Sequence, residues 1–203
     1  MEIFISSPYY IFVKDLLTFG LTLAGIVVAG GGLKTWKKQI KGSKEFETGY
    51  NLHHSVLKLR DAIKHVRNPA IWPAESNKAA KYSKEKNPDK SEEEIQNNAH
   101  VNVYEMRWEE ITNAYTEMES HLLAAESLWG SNILDLIRPL KKKVTELNIN
   151  LQQYFQPELR TKDYSAIQEI VYDASSETEE DNFSKEINKI VKDIVDYLKS
   201  EIS

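Results

Sequence analysis

The 203-residue sequence contains no cysteine, and it lacks the short signatures of the common catalytic sites. Without cysteine, the chain has no disulfide, no thiolate nucleophile and no cysteine-ligated metal site. It also has no glycine-rich phosphate loop ending in lysine, no H-E-x-x-H and no G-x-S-x-G. No cofactor or metal ion is therefore expected from the motifs.

An excess of positive charge is missing as well. The chain has 26 Lys and Arg residues against 31 Asp and Glu residues, for a formal net charge of -5. Tight nonspecific binding of nucleic acid requires a basic face. We therefore do not expect DNA as a partner.

Charge is absent altogether from residues 16–33, and this stretch organises the rest of the chain. Its length approaches the roughly 20 residues that an α-helix needs to cross a bilayer. The run also exceeds the roughly 7–15 apolar residues of a cleavable signal peptide. We predict one transmembrane helix over 16–33 that is retained as an anchor, with the lipid bilayer as a partner.

The flanks of this segment predict its orientation. One lysine, Lys14, precedes it, whereas five lysines follow it before residue 45. Because basic residues close to a span stay on the cytoplasmic side, the C-terminal body should be cytoplasmic. The predicted location is the inner (plasma) membrane, with a single pass. The five lysines are Lys34, Lys37, Lys38, Lys41 and Lys44.

Two charged residues, Lys14 and Asp15, lie just before the uncharged run. In one interpretation residues 1–15 lie on the outer face and the span begins at Leu16. In the other, residues 1–15 form the start of the span. Intramembrane charges are costly, so Lys14 and Asp15 would then face a pore or a helix interface.

Small residues inside the span predict self-association. Gly20 and Ala24 are four residues apart, and so are Gly25 and Ala29. Such pairs allow membrane helices to approach closely. A homo-oligomer is therefore expected.

The rest of the chain predicts an all-α fold. Residues 34–68 read as a basic juxtamembrane helix that ends before Pro69, and the polar, proline-rich residues 69–90 read as a loop. Residues 91–203 form a helical bundle that residues 45–68 complete. Ser91 and Glu94 form a capping-box signature. Apolar residues recur in steps of three and four over 52–66, 101–129, 133–154 and 183–198, which predicts long heptad-patterned helices. Pro139 predicts a kink or the start of a new helix.

The segment from Arg60 to His65 has the pattern R-x4-H. It resembles the R-x4–6-H motif of HEPN-domain ribonucleases, and the resemblance covers six residues within an all-α setting. It implies that Arg60 and His65 are catalytic in a metal-independent endoribonuclease, with Asp61 as their neighbour. An arginine fork can hold a scissile phosphate, and an imidazole can move a proton near neutral pH. The residues alone leave open that Arg60 and His65 are solvated or paired with Asp61.

The architecture supports a second resemblance. A membrane helix, a helical cytoplasmic body and a degenerate R-x4-H motif look like the small HEPN-like membrane accessory proteins of RNA-targeting CRISPR systems. That resemblance implies an oligomeric pore that acts in antiviral defence, with RNA or an RNA-guided effector as a further partner.

Three functional hypotheses follow. The leading one is a membrane-anchored, self-associating helical protein, acting as a pore or membrane effector in antiviral defence. The alternatives are a membrane-tethered HEPN-like ribonuclease and a non-catalytic scaffold that recruits a cytoplasmic partner through one long helix predicted over 92–129. His54, Asp61 and His65 recur on one helical face and could supply two or three zinc ligands, but such faces are usually solvated, and no metal site is predicted.

Overall fold

The structure is a computed structural model that describes residues 8–176 and 179–201. These residues contain helices and no strand, so the all-α prediction is confirmed. The chain divides into two compact units, Met1–Phe46 and Glu47–Ser203. The helices are α1 (Pro8–Arg67), α2 (Pro73–Lys86), α3 (Glu92–Asn97), α4 (Ala99–Trp129), α5 (Asn132–Phe155), α6 (Tyr164–Val171) and α7 (Asn182–Glu201), with a 3₁₀ turn at Pro157–Leu159.

The first unit consists of the N-terminal part of α1. Every residue from Tyr9 to Lys44 is exposed, including all of the apolar ones. The most apolar window of this helix has a mean hydropathy of 1.9, and none of it is buried. By length and composition, α1 can cross a membrane. The helix continues without a break through Gly42 and ends at Arg67, which confirms the predicted end before Pro69.

The second unit is a helical bundle around one main core. Residues 47–67 of α1 pack with α4, α5, α6 and α7. The four predicted apolar stripes supply most of the buried side chains, and Ile167 and Val171 of α6 add to them. Lys58 of α1 pairs with Glu117 of α4, whereas His65 pairs with Glu110, so the two helices run antiparallel. Gly130 has φ of 79° and separates α4 from α5. This is the left-handed region that glycine tolerates at a helix end.

The aromatic residues of α4 are part of this packing. Tyr104 is 3% exposed, and Trp108, Tyr115 and Trp129 are partly buried against the core. Met118 lies deeper and is fully buried. The prediction that the stripe over 101–129 faces the core is therefore confirmed, although Trp108 lies at its margin.

The predicted loop over 69–90 is wrong, because Pro73–Lys86 forms α2. Pro73 occupies the first helical turn, where its missing N–H costs nothing, so proline here starts a helix. Ala79 of α2 is buried against Val103 and Met106 of α4. This small second cluster stabilises a helix whose remaining surface is polar.

Two further helix boundaries differ from the prediction. The capping box of Ser91 and Glu94 is confirmed, but the helix that it starts ends at Asn97, and α4 begins after Asn98. The Asn98 side chain donates to the Glu94 carbonyl at 2.8 Å, which competes with continued helix. Across Pro139, α5 runs as one helix, so the alternative of a new helix starting there is wrong. Core packing on both sides of the proline holds that helix together.

Candidate functional site

Arg60 and His65 lie in the last two turns of α1, and each is bonded to a carboxylate. The Arg60 guanidinium donates to Asp61 Oδ1 from Nε at 2.9 Å and from Nη2 at 2.8 Å. This confirms the pairing with Asp61 that the residues left open. Because two N–H donors of the Arg60 guanidinium are bonded to Asp61, they are not available to bind a phosphate.

The His65 imidazole lies between two acidic side chains from other helices. Its Nδ1 is 2.8 Å from Glu110 Oε2, and its Nε2 is 3.5 Å from Glu75 Oε1. Glu75 belongs to α2 and Glu110 to α4. His65 therefore connects α1 with α2 and α4, and these contacts suit a residue that stabilises the bundle.

The two motif residues face different clefts. Arg60 and Lys64 line a cleft of about 490 Å³ whose opposite wall carries Asp173, Glu179 and Glu180. His65 instead lines a neighbouring cleft of about 440 Å³. On an α-helix, residues five apart project about 140° from each other, which accounts for the separation. Both the spacing and the acidic wall disfavour an RNA phosphate held jointly by Arg60 and His65.

The zinc interpretation has no geometric support in the described part of the chain. His54 stacks on Tyr50, with ring centroids 6.3 Å apart, whereas Asp61 and His65 bond to the partners given above. Within residues 8–176 and 179–201, no group of three or more His, Asp or Glu side chains is arranged to hold a metal ion.

Among the described residues of the bundle, Arg67 has the most heavily bonded polar side chain, and no sequence motif singled it out. Its side chain is 1% exposed. The guanidinium donates to three carbonyl oxygens at the C-terminal end of α6: those of Glu169 at 3.0 Å, Ile170 at 2.7 Å and Tyr172 at 2.7 Å. A buried cation thus satisfies carbonyls that the end of a helix leaves unpaired.

The same guanidinium holds the start of α7. It donates to both carboxylate oxygens of Asp181, at 3.1 and 3.2 Å, and Asp181 Oδ1 accepts from the Ser184 N–H at 2.9 Å. Burial acts to raise the pKa of Asp181. Hydrogen bonds with the Asp173 side chain, Arg67 and the Ser184 N–H outweigh burial and hold that pKa well below its usual range. Arg67 therefore fixes the ends of α1, α6 and α7 together.

Arg107 plays the corresponding part on α4, and it is also 1% exposed. It donates to both oxygens of Glu75, at 2.7 and 2.8 Å, and to the carbonyl oxygens of Asn68 and Ala70. Its hydrogen bond is the largest cause of the lowered pKa of Glu75. The chain between α1 and α2 is thereby attached to α4, and His65 borders this network through Glu75.

A sequence signal for both arginines existed. Arg67 lies four residues after Ile63, and Arg107 lies three after Tyr104 and four before Ile111. Both positions therefore fall on the apolar stripe of their helix. A cationic side chain on such a stripe indicates either that the apolar stripe ends at that residue or that the side chain is buried and fully hydrogen-bonded. Both arginines are buried and hydrogen-bonded in this way.

The four small residues that the sequence predicts to pack against another membrane helix lie on more than one side of α1. A side chain added at Gly20 or Gly25 would meet no atom within 4 Å in the described structure. Residues five apart on a helix project about 140° from each other. The pair Gly20 and Ala24 therefore faces away from the pair Gly25 and Ala29, so the four residues do not form one surface.

Lys14 and Asp15 are helical, because α1 begins at Pro8. The helix therefore has no break between these charges and the uncharged run. The interpretation in which residues 1–15 form the start of the span requires such a continuous helix. Residues 1–7 of that segment lie outside the described residues.

Comparisons with protein-family models, with curated proteins and with solved structures found no match to this chain.

Proposed function

We propose that this chain is a single-pass membrane protein that self-associates through one side of α1 and perturbs the bilayer, with its helical bundle in the cytoplasm. The five lysines after the span support this orientation. The antiviral context and a link to an RNA-guided effector belong to the proposal as implications of the resemblance described above.

One observation carries the membrane assignment. The apolar part of α1 is exposed throughout, whereas the bundle buries its own apolar stripes almost completely. Contiguous exposed apolar surface marks a partner, and a helix that satisfies its own backbone hydrogen bonds suits lipid. The length of the apolar run matches a bilayer rather than a protein groove.

The arrangement of residues around α1 supports self-association. At 3.6 residues per turn, Thr18, Thr22, Gly25 and Ala29 fall within an arc of about 60°, here called the small-residue side. The two hydroxyls bond back to carbonyls of the same helix, Thr18 to Lys14 at 2.8 Å and Thr22 to Thr18 at 2.7 Å. The small-residue side is therefore smooth, and it permits close approach of a second helix.

Lys14 and Asp15 flank the small-residue side, each about 20° beyond one edge of its arc. Charges inside a bilayer are tolerated where they face a helix interface or water. In a ring of parallel copies, Lys14 of one copy would face Asp15 of the next at nearly the same depth. This placement favours an assembly with a polar interior over a plain anchor.

Because the chain has no cysteine, one introduced cysteine reports on the interface without background. Thr22→Cys lies on the small-residue side, and Leu23→Cys is its control at the same depth but about 100° away. In membranes that contain the full chain, mild oxidation should give a disulfide-linked dimer with Thr22→Cys and little with Leu23→Cys. Equal crosslinking of the two variants, or none with either, would contradict association through this side.

The ribonuclease alternative is not favoured by the geometry, because Arg60 and His65 are paired with carboxylates and line different clefts. In the present proposal these residues stabilise the bundle. The bundle itself then serves as the part of the protein that a cytoplasmic trigger reaches.

A further inference from the structure

The lysines that follow the apolar run all lie on one side of α1. Because the helix is unbroken through residues 34–46, positions around it can be taken from the helical repeat. The five lysines fall within an arc of about 120°, whereas Trp36 and Ile40 lie outside it. All five side chains are exposed. We call Lys34, Lys37, Lys38, Lys41 and Lys44 the lysine side.

Most of this charge is uncompensated. In the part of the chain that the structure describes, the only ion pair made by these lysines joins Lys41 Nζ to Glu45 at 3.6 Å. Lys41 is 76% exposed, so this pair is weak and screened by solvent. Among the described residues, Glu45 pairs with Lys41 and the other four lysines have no acidic partner, so the lysine side presents a concentrated positive surface.

The lysine side continues the large apolar side of the same helix. Phe19, Leu23, Ile26 and Val27 project within the same 120° arc, about two to four turns before Lys34. From Lys34 to Lys38 the helix rises about 6 Å, which is close to the depth of the headgroup layer of one leaflet. One side of α1 thus offers apolar side chains to acyl chains and ammonium groups to the headgroups above them.

We infer that Lys34, Lys37 and Lys38 form a binding site for the phosphate of anionic phospholipid headgroups, whose acyl chains lie along Leu23 and Ile26. The inference rests on the membrane insertion in the proposed function, and it adds a lipid preference to it. Basic clusters next to a span attract anionic lipid. The one-sided placement leaves the small-residue side free for a second copy.

The test uses the full chain in phosphatidylcholine vesicles with trace spin-labelled lipid. The probe is labelled phosphatidylglycerol, and labelled phosphatidylcholine is its matched zwitterionic control. The fraction of label that the protein immobilises gives the relative affinity for the two headgroups. Three proteins are compared with the unmodified chain: Lys37→Gln, the exchange Lys37→Gln with Gln39→Lys, and the triple replacement of Lys34, Lys37 and Lys38 by Gln.

We expect the unmodified chain to prefer phosphatidylglycerol and the triple variant to lose the preference. Lys37→Gln should lower it by about fivefold, which is the contribution of one lysine near an anionic surface. The exchange conserves every charge but moves one lysine about 160° around the helix, so it should lower the preference as far as Lys37→Gln. An exchange variant that keeps the full preference would overturn the one-sided site.

Other outcomes separate this inference from the proposed function. Immobilised label without headgroup preference, together with Thr22→Cys crosslinking, would overturn the lipid site alone. No immobilised label of either kind would mean that the chain does not insert, and both proposals would fail. Inorganic phosphate added at constant ionic strength should leave the preference unchanged, and its loss would assign the lysines to a soluble anion instead.

Discussion

Replacing Arg67 by methionine should be among the most destabilising single changes in the bundle. The substitution keeps much of the aliphatic volume but removes a guanidinium that is 1% exposed and makes six hydrogen bonds. It leaves the Asp181 carboxylate, 11% exposed, without its cation and three carbonyls without a donor. Removing one partner of a buried ion pair typically costs about 3–5 kcal/mol.

Urea unfolding of the full chain in mild detergent measures this cost. In a Trp36→Phe background, the remaining tryptophans all lie in the second unit, so fluorescence reports on the bundle. Arg138→Met is the matched control, because Arg138 is 63% exposed and its one ion pair among the described residues is with Asp135 on its own helix. That control should change the free energy of unfolding by less than about 1 kcal/mol. If Arg67→Met were equally mild, Arg67 would not be a buried structural centre.

The dependence on pH gives a second measurement of the same contact. The pKa of Asp181 is lower in the folded chain than its ordinary value of 3.8, so the folded state favours the ionised carboxylate. The stability that this difference supplies is present above the ordinary pKa and is lost as the pH falls below it. Arg67→Met removes one cause of the lowered pKa and should reduce the loss of stability between about pH 5 and pH 2. Pairing Arg67→Met with Asp181→Asn should cost less than the sum of the two single changes, since the stranded carboxylate is gone.

Further predictions concern the core, the motif and the span. Met118→Ala should destabilise the bundle by about 2–5 kcal/mol because Met118 is fully buried. Trp108→Ala should cost less than the roughly 3–5 kcal/mol of a buried tryptophan, because Trp108 is only partly buried. Urea unfolding measures both changes in the free energy of unfolding. The purified chain should not cleave single-stranded RNA, and Arg60→Ala and His65→Ala should leave that result unchanged; cleavage that both variants abolish would restore the ribonuclease hypothesis. Gly25→Leu should insert normally but lower the mass of the complex in mild detergent and reduce leakage of dye from vesicles. An unaltered mass would exclude the small-residue side as the interface.

The features that the sequence predicted correctly are those that depend on local periodicity. The stripes over 52–66, 133–154 and 183–198 pack against the core because a repeat of three and four residues places side chains on one side of a helix. Ser91 and Glu94 were recognisable because both partners of the capping box lie within one turn. Neither inference requires knowledge of a distant residue.

The features that could not be predicted from the sequence depend on contacts between distant parts of the chain. Pro73 at its start and the Ala, Lys and Glu residues of α2 suit a helix, but this polar segment has no long apolar stripe, and its burial of Ala79 depends on Val103 and Met106 of α4. The burial of Arg67 depends on carbonyls and a carboxylate more than 100 positions later. A charged side chain can be buried only where such partners converge, and the sequence does not show which partners converge.

The contrast between neighbouring basic residues explains why the short motif was a poor guide to function. Arg60, His65 and Arg67 lie within eight positions of one helix, yet they bond to a neighbouring carboxylate, to two other helices and to the buried ends of α6 and α7, respectively. The pattern R-x4-H selects the two residues that are partly exposed and omits Arg67, which is buried and holds the ends of three helices together. An arginine and a histidine act on a phosphate only if they converge on it without competing carboxylates. Among the described residues, the apolar run over 16–33 is exposed along its whole length, so the proposed function rests on the two sides of α1 rather than on the motif.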